Sequence, residues 1–329
     1  MLPLHSPPLW RQIQRKNFTN IEKLLEFLQL PPELSAKVLK KNSFPLNLPL
    51  RLAEKIPKGT IDDPIFRQFV PLVEEEMTGS EGFSCDPLLE NSFKKTPRLL
   101  HKYHGRVLLV TTGSCAMHCR YCFRRHFDYF PEPTFTEEYQ LIADDPSVNE
   151  VILSGGDPLS LSDKTLRTLL ENLSAIPHIK KIRFHTRFPI GIPERIDDEF
   201  IALLNSCRLR IWFVIHCNHP NELDEDVSNA LERIQKSGIV ILNQSVLLKG
   251  VNDTPETMAA LCQLLVDKGI VPYYIHQLDK VEGAAHFEVP EREGLQLIEK
   301  LRRLLPGYAV PRYVREVGGD LHKTPLESS

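Results

Sequence analysis

Cys115, Cys119 and Cys122 stand in the pattern C-x3-C-x2-C, inside Thr-Thr-Gly-Ser-Cys-Ala-Met-His-Cys-Arg-Tyr-Cys-Phe-Arg-Arg-His-Phe at residues 111–127. One short loop with this spacing can aim three thiolates at a common centre. A cubane iron–sulfur cluster held wholly by protein takes four thiolates. Three would hold three irons and leave the fourth open to an exogenous ligand. The same residues admit a zinc site completed by His118 or His126, or three unrelated thiols. Gly113 supplies backbone freedom at the start of the loop.

Further polar groups follow short apolar runs. Ser154-Gly155-Gly156-Asp157 ends one run; its glycines suit either a tight turn or a close backbone approach to a ligand. His185-Thr186-Arg187 ends another, and His216-Cys217-Asn218-His219 a third, as a polar pocket wall or a metal-ligating pair. Asn243-Gln244-Ser245 interrupts an apolar run, where such side chains either hydrogen-bond in the core or face a ligand. Tyr273-Tyr274-Ile275-His276-Gln277-Leu278-Asp279 closes the series. Polar groups at so many successive run ends read as the wall of one filled pocket.

The elements that must carry these groups are legible in the periodicity. Apolar runs at 107–112, 150–154, 181–185, 210–216, 239–247 and 271–277 start, after the first gap, about 30 residues apart, the length of a βα unit. Between them lie apolar stripes of helical spacing: Leu166, Leu169, Leu170, Leu173; Leu223, Val227, Ala230, Leu231, Ile234; and Met258, Leu261, Cys262, Leu265. Thr254 and Pro255 suit a helix start. A last helix is expected over about 291–305, with a strand-like run at 309–317 beyond it. Near-continuous apolar strands with crossover helices imply a covered parallel sheet. The fold class is therefore α/β: an open, partial (β/α)6 barrel over 101–310, with a doubly wound sheet as the alternative. Chemistry in such barrels sits at the C-terminal strand ends, where the cysteine loop falls. Residues 1–100 read as a helical N-terminal region, with a helix on Ile21, Leu24, Leu25 and Leu28 stopped by Pro31-Pro32 and another within 64–76. Residues 311–329 form a short C-terminal segment. Cys85 reads as an uninvolved thiol.

Composition sets the outer bounds. The chain has 329 residues, 42% hydrophobic and 25% charged, with a formal net charge of −3. That is ordinary for a globular protein with a sizeable core, and it argues against nucleic acid or a membrane as a partner. No run approaches the roughly 20 apolar residues of a membrane span. The first 30 residues lack a signal-peptide pattern, and seven cysteines in this length are not a disulfide scaffold. A reducing cytoplasm is the expected location.

The cysteine loop resembles that of the radical S-adenosylmethionine superfamily, whose open iron binds S-adenosylmethionine. From about residue 97 to 325 the chain resembles the lysine 2,3-aminomutase family. The carriers are Arg106-Val107-Leu108, the cysteine loop with Arg124-Arg125, Leu153-Ser154-Gly155-Gly156-Asp157, Asn218-His219-Pro220-Asn221-Glu222, the run from Asn243 to Asp253, Pro272-Tyr273-Tyr274-Ile275 and Lys323-Thr324-Pro325. It is most similar to the shorter bacterial members, which supply (R)-β-lysine for modification of elongation factor P.

The resemblance implies roles. Cys115, Cys119 and Cys122 hold a [4Fe–4S] cluster; Ser154, Gly155, Gly156, Asp157 and Gln244 lie about the cofactors. Lys323 carries pyridoxal 5′-phosphate, with Arg106 and Lys102 on its phosphate. Arg124 grips the substrate carboxylate, while Asp279 and Glu316 face the substrate ε-ammonium. The implied reaction is a 1,2-amino shift from (S)-α-lysine to (R)-β-lysine, started by an adenosyl radical, with an electron donor and the ligase that attaches β-lysine to elongation factor P as partners. There are departures. Glu316 replaces an aspartate, Lys102 an arginine, and Asp320-Leu321-His322 breaks a glycine run. The cysteine-rich C-terminal extension of longer members has no counterpart, and Thr254 stands where they carry a paired cysteine, so their zinc-linked oligomer is not expected. The alternatives are an aminomutase for another amino acid and a non-catalytic iron–sulfur interaction protein.

Overall fold

The computed structural model describes residues 7–76, 81–130 and 134–327; parts of the segments read above as 1–100 and 311–329 lie outside them. Nine strands form one sheet in sequence order: β1 (Leu99–Tyr103), β2 (Arg106–Thr112), β3 (Glu150–Gly155), β4 (Lys181–Thr186), β5 (Arg210–Ile215), β6 (Val240–Val246), β7 (Val271–His276), β8 (Arg312–Arg315) and β9 (Thr324–Pro325). β2 through β8 run parallel; β1 and β9 are antiparallel to their neighbours. All six expected strands are present. β8 falls inside the anticipated strand-like run, whereas β1 was not anticipated. The sheet is an open barrel whose edges are β1 and β9.

Alternation along each strand divides the side chains between two faces. Val107, Leu109, Val151, Leu153, Ile182, Phe184, Ile211 and Phe213 are buried, on the face covered by the crossover helices. The in-register row Leu108, Ile152, Arg183, Trp212 belongs to the opposite face, as does the step Val110 to Ser154. That face turns Arg106, Ser154, His185, Gln244 and His276 toward the lumen.

The helices follow their sequence signals. Ser162, Asp224 and Thr254 each accept a hydrogen bond from the backbone amide three residues on, at Thr165, Val227 and Thr257, where the buried stripes begin. The helices Asp163–Ala175, Glu225–Lys236 and Pro255–Asp267 then bury the expected leucine, isoleucine and methionine rows. Each fully buried aliphatic or phenyl side chain stabilises the fold by about 1.5–3 kcal/mol.

In the N-terminal region, Asn20 caps the helix Ile21–Phe27, and the 64–76 segment splits into a helix, Pro64–Phe69, and a 3-10 turn, Val73–Glu76. Trp10, Leu24, Phe66 and Phe69 join the barrel residues in one continuous apolar core. Trp10 packs edge-on against Phe188, 5.4 Å between ring centres. No helix among the described residues is long and apolar enough to cross a membrane.

Candidate active site

The cysteine loop leaves β2 and is held from below by the N-terminal region. Asn17 Nδ2 donates to the Ala116 carbonyl at 2.8 Å, and Gln14 and Asn47 donate to the Cys115 carbonyl at 3.3 and 3.2 Å. The His118 and Arg120 amides donate to Asn47 and Gln68 carbonyls. Two guanidiniums of the loop converge on Glu75: Arg120 through Nε and Nη2 at 2.8 and 2.6 Å, Arg125 at 3.0 Å. Arg120 and Glu75 are 0% and 1% exposed at their side chains. Charges so deep persist only as a closed pair.

The Gly155-Gly156 segment packs directly on this loop. Gly156 N donates to Thr112 O at 2.6 Å and Asp157 N to Ser114 O at 2.8 Å. A Cβ on Gly156 would lie 2.4 Å from Ser114 O, and Gly155 has φ +116°. The glycines are thus required first by loop-on-loop packing. Asp157 turns its carboxylate into the protein, accepting from Thr186 Oγ1 at 2.7 Å, Arg187 N at 2.8 Å and Leu159 N at 3.0 Å. Burial pushes its pKa up to about 6, against the pull of those donors.

A buried polar network joins the loop to the ends of three more strands. Arg187 Nη1 donates to Cys119 Sγ at 2.9 Å and to the Tyr121 hydroxyl; its Nη2 donates to Gln68 Oε1 at 2.7 Å and Glu222 Oε2 at 2.6 Å. Asn218 Nδ2 reaches the Tyr121 hydroxyl at 2.7 Å, and Val246 N donates to Asn218 Oδ1 at 2.8 Å.

The donor set can be tested against a cluster. Burial, then neighbouring Asp157 and thiols, pushes Cys115 well above its ordinary pKa; burial and Cys119 push Cys122 up to about 11. Thiols so placed ionise when a metal centre binds the sulfur and displaces the proton to solvent. Arg187 Nε is buried with no partner among the described residues, a donor left over for a bound group. His126, one candidate for a fourth zinc ligand, groups instead with exposed Cys85 and Glu282, their ligand atoms within 4.8 Å of one another. His118 is committed elsewhere, with Nδ1 2.8 Å from Pro45 O and its ring stacked on Phe44. Three thiols without a fourth ligand from His118 or His126 fit an open-iron cluster better than a closed zinc site. His219 does not serve as a metal ligand either: its Nδ1 accepts from Asn221 N at 3.1 Å.

The second half of the site lies in the seam between the barrel edges. Glu316 follows β8 and accepts from Lys102 Nζ at 2.9 Å and the Tyr103 hydroxyl at 3.0 Å, both on β1, and from Lys323 Nζ at 2.5 Å. The β8–β9 hairpin makes the last contact, pairing Arg315 with Thr324 and so returning Lys323 to the seam. Gly319, with φ +95°, turns the hairpin, and Thr324 Oγ1 donates to Asp320 at 2.5 Å. The residues that break the glycine run thus still form a turn. Lys102, Tyr103, Arg106, Phe93, Glu90 and Glu316 line one cavity, with the Arg106 guanidinium 4.7 Å over the Tyr103 ring. Two cations and two aromatic rings fit a phosphate-bearing aromatic cofactor.

Electrostatics sort the remaining groups. Burial would raise Glu316, but Lys323 and Lys102 hold it well below the usual carboxylate range. Burial and then Glu316 push Asp279 up to about 7. Burial lowers His216 to about 4 and takes His185 and His276 well below their ordinary value, with Lys323 adding to each shift. The Nε2 atoms of His185 and His216 are buried without partners among the described residues. They are neutral groups left for a ligand in the lumen. Asn243 and Ser245 instead bond the Cys217 backbone at 2.9–3.0 Å, while Gln244 lies on the opposite face. Arg124 donates to both oxygens of Glu90 and to Ser154 Oγ. Glu90, Glu75, Tyr103 and Arg187's contact with sulfur were not read from the sequence. Glu90 and Glu75 lie in short 3-10 turns that leave no periodic signal.

An open parallel barrel with three cluster-fit thiols after its first parallel strand defines a radical S-adenosylmethionine protein. Residues 109–262 match the Radical SAM superfamily. Over 96% of this chain and 94% of the relative, the chain is 42% identical to an L-lysine 2,3-aminomutase of Haemophilus influenzae. It is 44% identical to an Escherichia coli L-lysine 2,3-aminomutase over 94% and 92% of the two chains. For a longer L-lysine 2,3-aminomutase, of Clostridium subterminale, identity is 35% over 96% and 77%. The chain belongs to the L-lysine 2,3-aminomutase family of the radical SAM superfamily, whose members carry a [4Fe–4S] cluster and use S-adenosylmethionine.

Proposed function

We propose that the protein converts (S)-α-lysine to (R)-β-lysine, with pyridoxal 5′-phosphate on Lys323, and supplies the product for β-lysylation of elongation factor P. The observation that carries this reading is the meeting of Lys323, Glu316, Lys102 and the Arg106-lined cavity in one seam. The names and coverage of the relatives support the substrate.

When bound, S-adenosylmethionine on the cluster supplies a carbon radical, and pyridoxal 5′-phosphate supplies the π-system that lets nitrogen migrate. The chain's own residues bind, orient and shield. Arg124, on the cysteine loop, offers a planar fork to the lysine carboxylate. Asp279, its carboxyl raised to about 7, releases its proton to solvent and stands as a carboxylate opposite the ε-ammonium. Glu316 bridges Lys102 and Lys323 and keeps Lys323 in the seam. His185, His216 and His276 stay neutral and add no competing cation. The buried network from Gln68 to Glu222 excludes water from the centre where radicals form. Asp279 as a carboxylate at the ammonium end disfavours glutamate as substrate. A reducing cytoplasm and a low-potential electron donor suit such a cluster.

Anaerobic incubation with lysine, S-adenosylmethionine and a reductant, followed by chiral product analysis, tests the reaction; the expected product is (R)-β-lysine, and its absence from cluster-loaded protein overturns the reading. Borohydride reduction with peptide mapping should place the pyridoxyl label on Lys323. Transfer of the product by the lysyl-modifying ligase to elongation factor P tests the pathway.

A further inference from the structure

We propose that Arg187 sets the reduction potential of the cluster held by Cys115, Cys119 and Cys122, by placing a buried cation and an N–H donor on the Cys119 sulfur. The inference rests on the cluster site alone and not on which amino acid is rearranged.

Arg187 Nη1 lies 2.9 Å from Cys119 Sγ, and its side chain is 7% exposed. Hydrogen bonds to cluster sulfurs and nearby charge are two of the terms that fix such potentials. The three loop guanidiniums are otherwise engaged: Arg124 is paired with Glu90, and Arg120 and Arg125 with Glu75. The counter-ion of Arg187 is Glu222, fully buried, but that carboxylate is shared. Its Oε1 accepts from the Asn218 and His219 amides at 3.1 and 3.0 Å and from Gln68 Nε2 at 3.0 Å. The guanidinium therefore keeps much of its charge for the sulfur.

Its position is also specified. Asp157 Oδ2 accepts from Arg187 N at 2.8 Å, and Gln68 Oε1 accepts from its Nη2 at 2.7 Å. Backbone and side chain are thus both held, one by the Gly-Gly-Asp segment and one by the N-terminal region. The reduced cluster carries one more negative charge than the oxidised one. A fixed cation beside it favours the reduced form, so Arg187 raises the potential and Glu222 lowers it. One electron enters the cluster from a one-electron donor, dithionite in the test, and no bond to Arg187 forms or breaks.

The experiment is potentiometric titration of full-length, cluster-loaded protein followed by electron paramagnetic resonance, without lysine. In Arg187→Gln the reduced-to-oxidised ratio at the wild-type midpoint should fall about tenfold, a downward shift of about 59 mV for one electron. Arg187→Lys keeps the charge but loses the fork and should fall between the two. Glu222→Gln should shift the midpoint upward. A residue with only a structural role would not give opposite signs for the two partners. Wild-type protein labelled with 15N in its arginine guanidino groups should also show nitrogen coupling to the reduced cluster, a measurement that stands whether or not the variants load. An unchanged midpoint in Arg187→Gln, or in Arg187→Lys if only that variant retains iron, overturns the proposal, as does absence of the coupling. Failure to form β-lysine would leave this result untouched.

Discussion

Arg124 and Glu90 meet edge to edge: Nε lies 2.8 Å from Oε2 and Nη2 lies 2.6 Å from Oε1, while Nη1 reaches Ser154 Oγ at 3.0 Å. The pair is largely buried, 5% and 13% exposed at the side chains. It ties the 3-10 turn before β1 to the cysteine loop and to the end of β3. A bidentate partner on one edge of a guanidinium fixes its plane and leaves the Nη1 side to present to another acceptor.

Glu90→Gln should therefore weaken lysine binding by about tenfold or more, one step of roughly 1.4 kcal/mol, with iron content unchanged. Arg124 would lose its orientation without losing its charge. Isothermal titration of the cofactor-loaded enzyme reads this directly. Equal or tighter lysine binding would mean that Glu90 competes for the fork instead of orienting it.

Arg120 and Arg125 depend on Glu75 in a different way, because their site is closed to solvent. Removing one partner of a buried ion pair typically costs about 3–5 kcal/mol. Glu75→Gln should lower the melting temperature and speed loss of iron from the cluster, since both guanidiniums belong to the cysteine loop. A variant with wild-type stability and iron retention would show that the loop is held by the Asn17, Gln14 and Asn47 bonds alone.

The sequence made the strands, the crossover helices and the cysteine loop legible, because each repeats a local rule: period 2, period 3.6, or fixed spacing along one loop. Asn243 and Ser245 show where that stops. Core hydrogen bonding and ligand contact leave the same trace in a sequence, and only the pairing of β6 with β5 puts these two on the Cys217 backbone and Gln244 on the other face. Glu90 and Glu75 were silent for a related reason: each is one charged residue in a polar turn, and its partners are 34 to 50 positions away. The Gly155-Gly156 pair was legible as a close approach, but its partner proved to be the backbone of the cysteine loop.

Asp279 predicts a pH dependence. Burial and Glu316 raise its folded pKa from 3.8 to about 7. A raised carboxyl favours the protonated form, so its contribution to ligand-free stability is fully present below about pH 4 and is lost as pH rises through 7. Lysine binding runs the other way, because the ammonium needs the carboxylate. The apparent lysine KM should fall as pH rises toward 7 and level off above it. In Asp279→Asn the KM should stay near the wild type's low-pH value at every pH and lack that inflection. Wild-type kinetics without a transition near 7 would place the ammonium elsewhere.

Glu316 gives the last prediction. One of its oxygens accepts from Lys102 at 2.9 Å and from the Tyr103 hydroxyl at 3.0 Å, and the other from Lys323 at 2.5 Å. The longer side chain therefore spans the seam between β1 and the β8–β9 hairpin. Aspartate is shorter by one carbon–carbon bond, about 1.5 Å, and could not keep both lysines. Glu316→Asp should lose pyridoxal phosphate affinity and slow the borohydride labelling of Lys323. Glu316→Gln should be worse, because it leaves two ammonium groups facing each other; the loss is on the order of 3 kcal/mol, reduced by the partial exposure of Lys323. The sign with pH follows from the depressed pKa of Glu316, which lies below its ordinary 4.5. Stability from the ionised carboxylate is present above 4.5 and drains away as pH falls toward the depressed value. The melting-temperature gap between wild type and Glu316→Gln should accordingly be full at pH 7 and shrink only below 4.5. A gap that is absent at pH 7, or an aspartate variant with improved lysine turnover, would show that the glutamate misplaces the substrate ammonium instead of bridging the lysines.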